Sequence, residues 1–127
     1  GRMQDLWRTI MTSHFGPIWA RGSQDFDSLN EEEQQQFRGL CYSMLTLQSV
    51  NAQSGHEGLD RGVASRIEAQ TTGSYKQWPG LATYYERYGR SHTYNPELRS
   101  LLDAVFSREF GREVDTSWHW GVKETAS

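Results

Sequence analysis

The side chains able to do chemistry are four histidines, one cysteine and a short run of carboxylates. His14, His56, His92 and His119 stand far apart, and none lies within three to five residues of another. A zinc site draws its ligands from short spacings of that kind. Cys41 has no cysteine partner, so it forms neither an internal disulfide nor a metal-binding pair. A nucleophilic thiolate needs a helix N-terminus or an adjacent histidine. Cys41 falls instead on an apolar position inside a helical pattern and reads as a small core residue. Asp25, Asp27, Glu31, Glu32 and Glu33 are acidic without a base, and they lack the regular oxygen spacing of a calcium loop. The chain contains no G-x-S-x-G elbow, no P-loop and no G-x-G-x-x-G turn. No catalytic, metal-binding or cofactor-binding residue is assigned from these patterns.

The aromatic residues carry a stronger signal. They make up 13% of a chain of 127 residues whose hydrophobic share is only 35%, so aromatic rings supply more than a third of the apolar set. Trp78, Tyr84, Tyr85, Tyr88 and Tyr94 fall within 17 positions, and Trp118 and Trp120 flank His119. Each offers a large apolar body with a polar tip, which suits a core, a pocket or an interface. These seven form the candidate groove for a protein partner, a second copy or a small ligand. The competing reading is a small-ligand-binding or hydrolytic enzyme. Its site would be assembled from distant residues, His56 or His92 with Glu57 or Glu86, near the tyrosines.

Charge argues against a nucleic-acid partner. The net charge is −3, and 11 arginines and 2 lysines are spread along the chain without a dense cluster. A nucleic-acid surface needs a segregated basic face. Arginine is well suited to planar, partly buried ion pairs, so helix-to-helix pairing is the expected use.

Helices must position these residues. Met3, Leu6, Trp7, Ile10 and Met11 recur at helical spacing, which predicts a helix over 3–14. Gly16-Pro17 interrupts it, and a short helix follows over 17–21, stopped by Gly22. Ser23 to Leu29 reads as a polar connection. Asn30 with Glu33 has the capping-box arrangement, and three glutamates favour the first turn. The long central helix is expected over about 31–54. A thinner helix starts near Asp60 and ends at Thr71-Thr72-Gly73. Pro79 and Pro96 each suit a first helical position, and Asn95 is a good cap. Leu98, Leu101, Leu102, Val105 and Phe106 then make one face. The fold class is all-α, a compact bundle of four to five helices over 1–111. Residues 112–127 form an irregular C-terminal tail, extended or partly disordered, and laid over the domain.

Several short stretches resemble an uncharacterised soluble helical domain of bacterial membrane-anchored proteins. They are Trp19-Ala20-Arg21-Gly22, Leu29 to Glu33 leading to Phe37, and Glu57-Gly58-Leu59-Asp60. They continue with Pro79-Gly80 ahead of Tyr84-Tyr85, and with Asn95-Pro96-Glu97-Leu98-Arg99. The resemblance covers about residues 19–106. That family often has arginine where Gln36 stands, and its aromatic pair commonly includes tryptophan. The resemblance implies an N-terminal membrane helix outside this chain, which opens on Gly1-Arg2 and not on methionine. It further implies a location on the cytoplasmic side, anchored to the inner membrane. It assigns no activity and no cofactor. The function expected is a non-enzymatic helical interaction or regulatory domain.

Overall fold

A computed structural model describes residues 4, 5, 8, 15–52 and 61–124, with backbone alone for 48–52. The helix expected over 3–14, with His14, lies largely outside the described residues, as do His56 and Glu57. Among the described residues there are five α-helices and one small hairpin. The helices are α1 (Gly16–Gly22), α2 (Glu31–Ala52), α3 (Arg61–Gln77), α4 (Pro79–Arg87) and α5 (Pro96–Phe110). Single 3-10 turns occupy Phe26–Ser28 and Gly89–His92. The strands are β1 (Trp118–His119) and β2 (Val122–Lys123), paired antiparallel. The chain is therefore all-α, as its spacing predicts.

The punctuation works as its chemistry requires. The Glu33 amide donates to Asn30 Oδ1 at 2.9 Å, and the Asn30 amide donates to Glu33 Oε1 at 3.1 Å. That reciprocal pair satisfies two amides which the helix itself cannot. Asn95 Oδ1 accepts from the Glu97 and Leu98 amides at 3.0 and 3.1 Å. Gly111 ends α5 in the left-handed region, with φ 67°.

Two expectations need correction. The helix expected to stop at Thr71-Thr72-Gly73 runs on to Gln77. Thr71 and Tyr75 are buried beside Ile67, so tertiary packing overrides the weak local stop. The Ser23–Leu29 connection is polar in part only. Phe26 and Leu29 are buried, and Phe26 packs against Phe37 with ring centroids 5.9 Å apart.

The core gathers Trp19 of α1, Phe37, Cys41 and Leu45 of α2, and Tyr84 and Tyr85 of α4, over the Leu98–Phe106 face of α5. α1 and α4 meet backbone to backbone. The Gly80 amide donates to the Ser23 carbonyl at 2.7 Å. Arg87 ties the first 3-10 turn to α4 through a two-pronged pair with Asp27, at 2.7 and 3.1 Å.

The tail folds back onto α4 and closes into the β1–β2 hairpin. Buried Glu86 accepts from Arg112 Nη1 and Nη2 at 2.6 and 3.0 Å, and from the Asp115 amide at 2.8 Å. The Gly121 amide donates to the Arg87 carbonyl at 2.8 Å. One helix thus holds both ends of the tail.

Candidate functional site

The seven aromatic candidates do not share one groove. Neighbours on a helix point about 100° apart, and the consecutive pair shows it. Tyr85 donates to Asp103 Oδ1 at 2.6 Å, toward α5. Tyr84 pairs its hydroxyl with His92 Nε2 at 2.7 Å, toward the second 3-10 turn. Both rings are buried. Trp78 is half-buried and meets Trp19 edge-on, with centroids 5.8 Å apart. Tyr88 is half-buried and stacks on Tyr84 at 5.9 Å. Tyr94 stands 78% exposed in the loop before α5. Trp118 has two cations near its ring, Arg87 at 5.1 Å and Lys123 at 5.9 Å from the centroid. Trp120 is 56% exposed at the tip of the hairpin.

Two concavities divide the set. A cavity of about 470 Å³ is lined by residues of α2, α3, α4 and α5, including Trp78, Tyr84 and Tyr85. A shallower hollow of about 230 Å³ is lined by Tyr84, Tyr88 and Trp120 with Arg38, Gly39, Tyr42 and His92. Tyr84 is common to both. Tyr94 and Trp118 line neither.

The hollow brings three distant segments together. Arg38 and Tyr42 are one turn apart on α2, which places them on the same face. His92 ends the second 3-10 turn. Trp120 comes from the hairpin. The His92 ring lies 4.9 Å from Tyr42, 6.0 Å from Tyr84 and 5.6 Å from Trp120, centroid to centroid. Tyr42 is 50% exposed, so the Tyr42–His92–Trp120 group presents an aromatic face to solvent. Arg38 lies over the Tyr88 ring at 4.6 Å. Among the described residues no carboxylate pairs with Arg38.

Trp120 holds its place at a cost. Its φ is +50°, and that of Gly121 is +81°. Two central residues of positive φ make the tight hairpin turn that matches strand twist. Asparagine, aspartate or glycine ordinarily fills the first position, because a larger side chain there is strained by about 1 kcal/mol or more. Gly121 is pressed so close to Tyr88 that an added Cβ would lie 2.2 Å from the ring. Position 121 therefore has room only for glycine, and the turn seats Trp120 beside His92, with ring centroids 5.6 Å apart.

Burial lowers the His92 pKa below its ordinary 6.5, against a smaller opposing backbone hydrogen bond. The folded ring then stays neutral while the unfolded chain takes up a proton. Stability should therefore fall as pH drops through about 6.5 toward the lower folded value. NMR titration of the His92 ring protons checks this directly. An ordinary or raised pKa would contradict the packing described.

Of the residues expected in an assembled catalytic site, His56 and Glu57 lie outside the described residues, and His92 and Glu86 have separate partners. Glu86 is taken up by Arg112 and the Asp115 amide, and His92 by Tyr84. Cys41 is buried, and burial pushes its thiol well above the usual range, away from thiolate chemistry. Among the described residues no group of three or more histidines, cysteines or carboxylates could hold a metal ion. No helix among them is long and apolar enough to cross a membrane.

Sequence reasoning passed over Arg38, Gly39 and Tyr42 because they sit opposite the apolar stripe of α2, where side chains are assigned to solvent. Their signal was the Arg-Tyr pair at a spacing of four. No family model, curated protein or solved structure matches the chain.

Proposed function

We infer that this chain is a non-enzymatic helical interaction domain that docks a partner polypeptide on the Tyr42–His92–Trp120 face. The observation that carries the reading is Trp120: a half-exposed tryptophan held in a strained turn against His92. A strained residue that folding does not require points to use. Tryptophan, tyrosine and arginine are also the side chains that concentrate binding energy at interfaces. The hollow accepts one apolar side chain of the partner. Arg38, without a carboxylate of its own among the described residues, favours an acidic residue beside that anchor. The sequence resemblance supports placing the domain beside a membrane, on the cytoplasmic side of an N-terminal anchor.

Photo-crosslinking tests the docking face. A benzoylphenylalanine at position 42 of the intact gene product should trap one discrete partner in cells. The same group at position 94, exposed but lining neither concavity, should trap none. Equal labelling from both positions, or none from 42, would overturn the assignment.

A further inference from the structure

The cavity of about 470 Å³ between α2 and α3 is a second, separate feature. Met44 and Leu45 line one side of it, Gly73 the other, and Leu81 and Leu102 come from α4 and α5. Trp78, Tyr84 and Tyr85 add aromatic walls. Among the described residues the lining includes no aspartate, glutamate, lysine, arginine or histidine. Its ionisable groups stay neutral: burial pushes the Cys41 thiol and the Tyr75, Tyr84 and Tyr85 phenols upward.

One polar atom in this wall is unsatisfied. Thr71 is 3% exposed, and its hydroxyl has no hydrogen-bond partner among the described residues. A helical threonine ordinarily turns its hydroxyl back to the carbonyl four residues earlier. Thr83 does so to Pro79 at 3.4 Å, and Ser43 does so to Gly39 at 3.1 Å. Thr71 makes no such bond. A buried hydroxyl left alone is costly, and native proteins rarely keep one without a reason. Gly73 stands at the exposed mouth, inside α3, where glycine weakens a helix. A Cβ there would meet nothing within 4 Å.

We propose that this cavity binds a small, neutral, largely apolar molecule that carries a hydroxyl or carbonyl for Thr71. The volume suits it, falling within the range of roughly 300–1,000 Å³ usual for small-molecule pockets. Apolar walls with one placed polar group are the usual make-up of a ligand pocket. A charged ligand would lose its hydration with no counter-charge to meet it. The site shares only Tyr84 with the docking face, so either can fail without the other.

Octanol and octanoate, titrated into the chain and followed by NMR, make the test. Octanol should shift Thr71, Leu81 and Leu102 with saturation, and octanoate at neutral pH should bind roughly a hundredfold more weakly. Thr71→Val keeps the shape and removes the hydroxyl. It should weaken octanol about fivefold, while raising the melting temperature of the ligand-free chain by a few degrees. Gly73→Leu should fill the mouth and abolish binding, with a melting temperature at or above the wild type. The proposal is overturned if octanol fails to saturate, if octanoate binds as well, or if Thr71→Val binds octanol unchanged.

Discussion

Gly80→Ala should cost this domain at least about 3 kcal/mol, at the upper end of what overpacking does. The sequence places Gly80 directly after Pro79, in the first turn of α4. There the backbone of α4 lies against that of α1. A Cβ on Gly80 would stand 1.8 Å from the Gly22 carbonyl oxygen and 3.0 Å from the Ser23 carbonyl carbon. Those atoms are main chain, so no side chain can rotate out of the way. Relief requires α1 to move from α4, which breaks the Gly80–Ser23 hydrogen bond and opens the Trp19–Trp78 contact. Gly39→Ala is the matched control. Its Cβ would meet nothing within 4 Å, and alanine favours a helix interior over glycine by about 1 kcal/mol. Chemical denaturation should therefore separate the two glycines by sign. Equal effects would mean that the close approach of α1 and α4 is misplaced.

Glu86→Ala should release the tail. Glu86 is only 7% exposed, and its two oxygens accept three hydrogen bonds from the segment after α5. Removing one partner of a buried pair can cost 3–5 kcal/mol; about 2–3 kcal/mol is expected here, because Arg112 is half-exposed and can rehydrate. The Asp115 amide loses its acceptor outright. Amide exchange at Gly121 should accelerate, since the hairpin keeps the Arg87 carbonyl but loses its upstream anchor. The pH dependence follows from the carboxyl. Burial alone would raise its pKa, but the Arg112 and Asp115 hydrogen bonds outweigh burial and lower it. A lowered carboxylate contributes stability above its unfolded pKa, near 4.3, and loses it as pH falls through the folded value. The wild type and Glu86→Ala should therefore converge in acid. Asp27, lowered mainly by its Arg87 hydrogen bonds, and Asp115, held at about 2 mainly by the Ser117 hydroxyl and amide, act with the same sign in both proteins. A Glu86→Ala deficit that persisted undiminished below the folded pKa would place its origin in packing, not charge.

Local chemistry made much of the fold legible. Asn30 with Glu33, and Asn95 with Pro96, set helix starts through hydrogen bonds a few residues long, and such signals survive any packing. The Leu98–Phe106 stripe was equally plain, because α5 buries one face and the spacing records it. The far end of α3 was not legible. Thr72-Gly73 is a weak stop, and the packing of Tyr75 against Phe106 and Tyr85 decides the matter across distances in sequence that periodicity does not reach. The aromatic cluster was visible as a cluster but not as two sites. Tyr84 and Tyr85 both line the larger cavity, but their hydroxyls go to different partners, His92 and Asp103, and Tyr84 alone reaches the hollow. The hairpin was hidden as well, since Trp120-Gly121 lacks the asparagine or aspartate that announces such a turn. The proposed docking face joins α2, a 3-10 turn and the hairpin tip, so no single window of sequence contains it.

The proposed docking face has a direct test. Gly39 lines the hollow, and a Cβ there would meet nothing within 4 Å. In Gly39→Leu the leucine should occupy the space proposed for the partner's anchor, while the helix loses a glycine. Crosslinking yield from position 42 and the melting temperature should be measured on the same samples. The crosslink should disappear while the melting temperature stays at or above that of the parent protein. A full crosslink in a stably folded Gly39→Leu chain would show that the hollow beneath Trp120 is not where a partner binds.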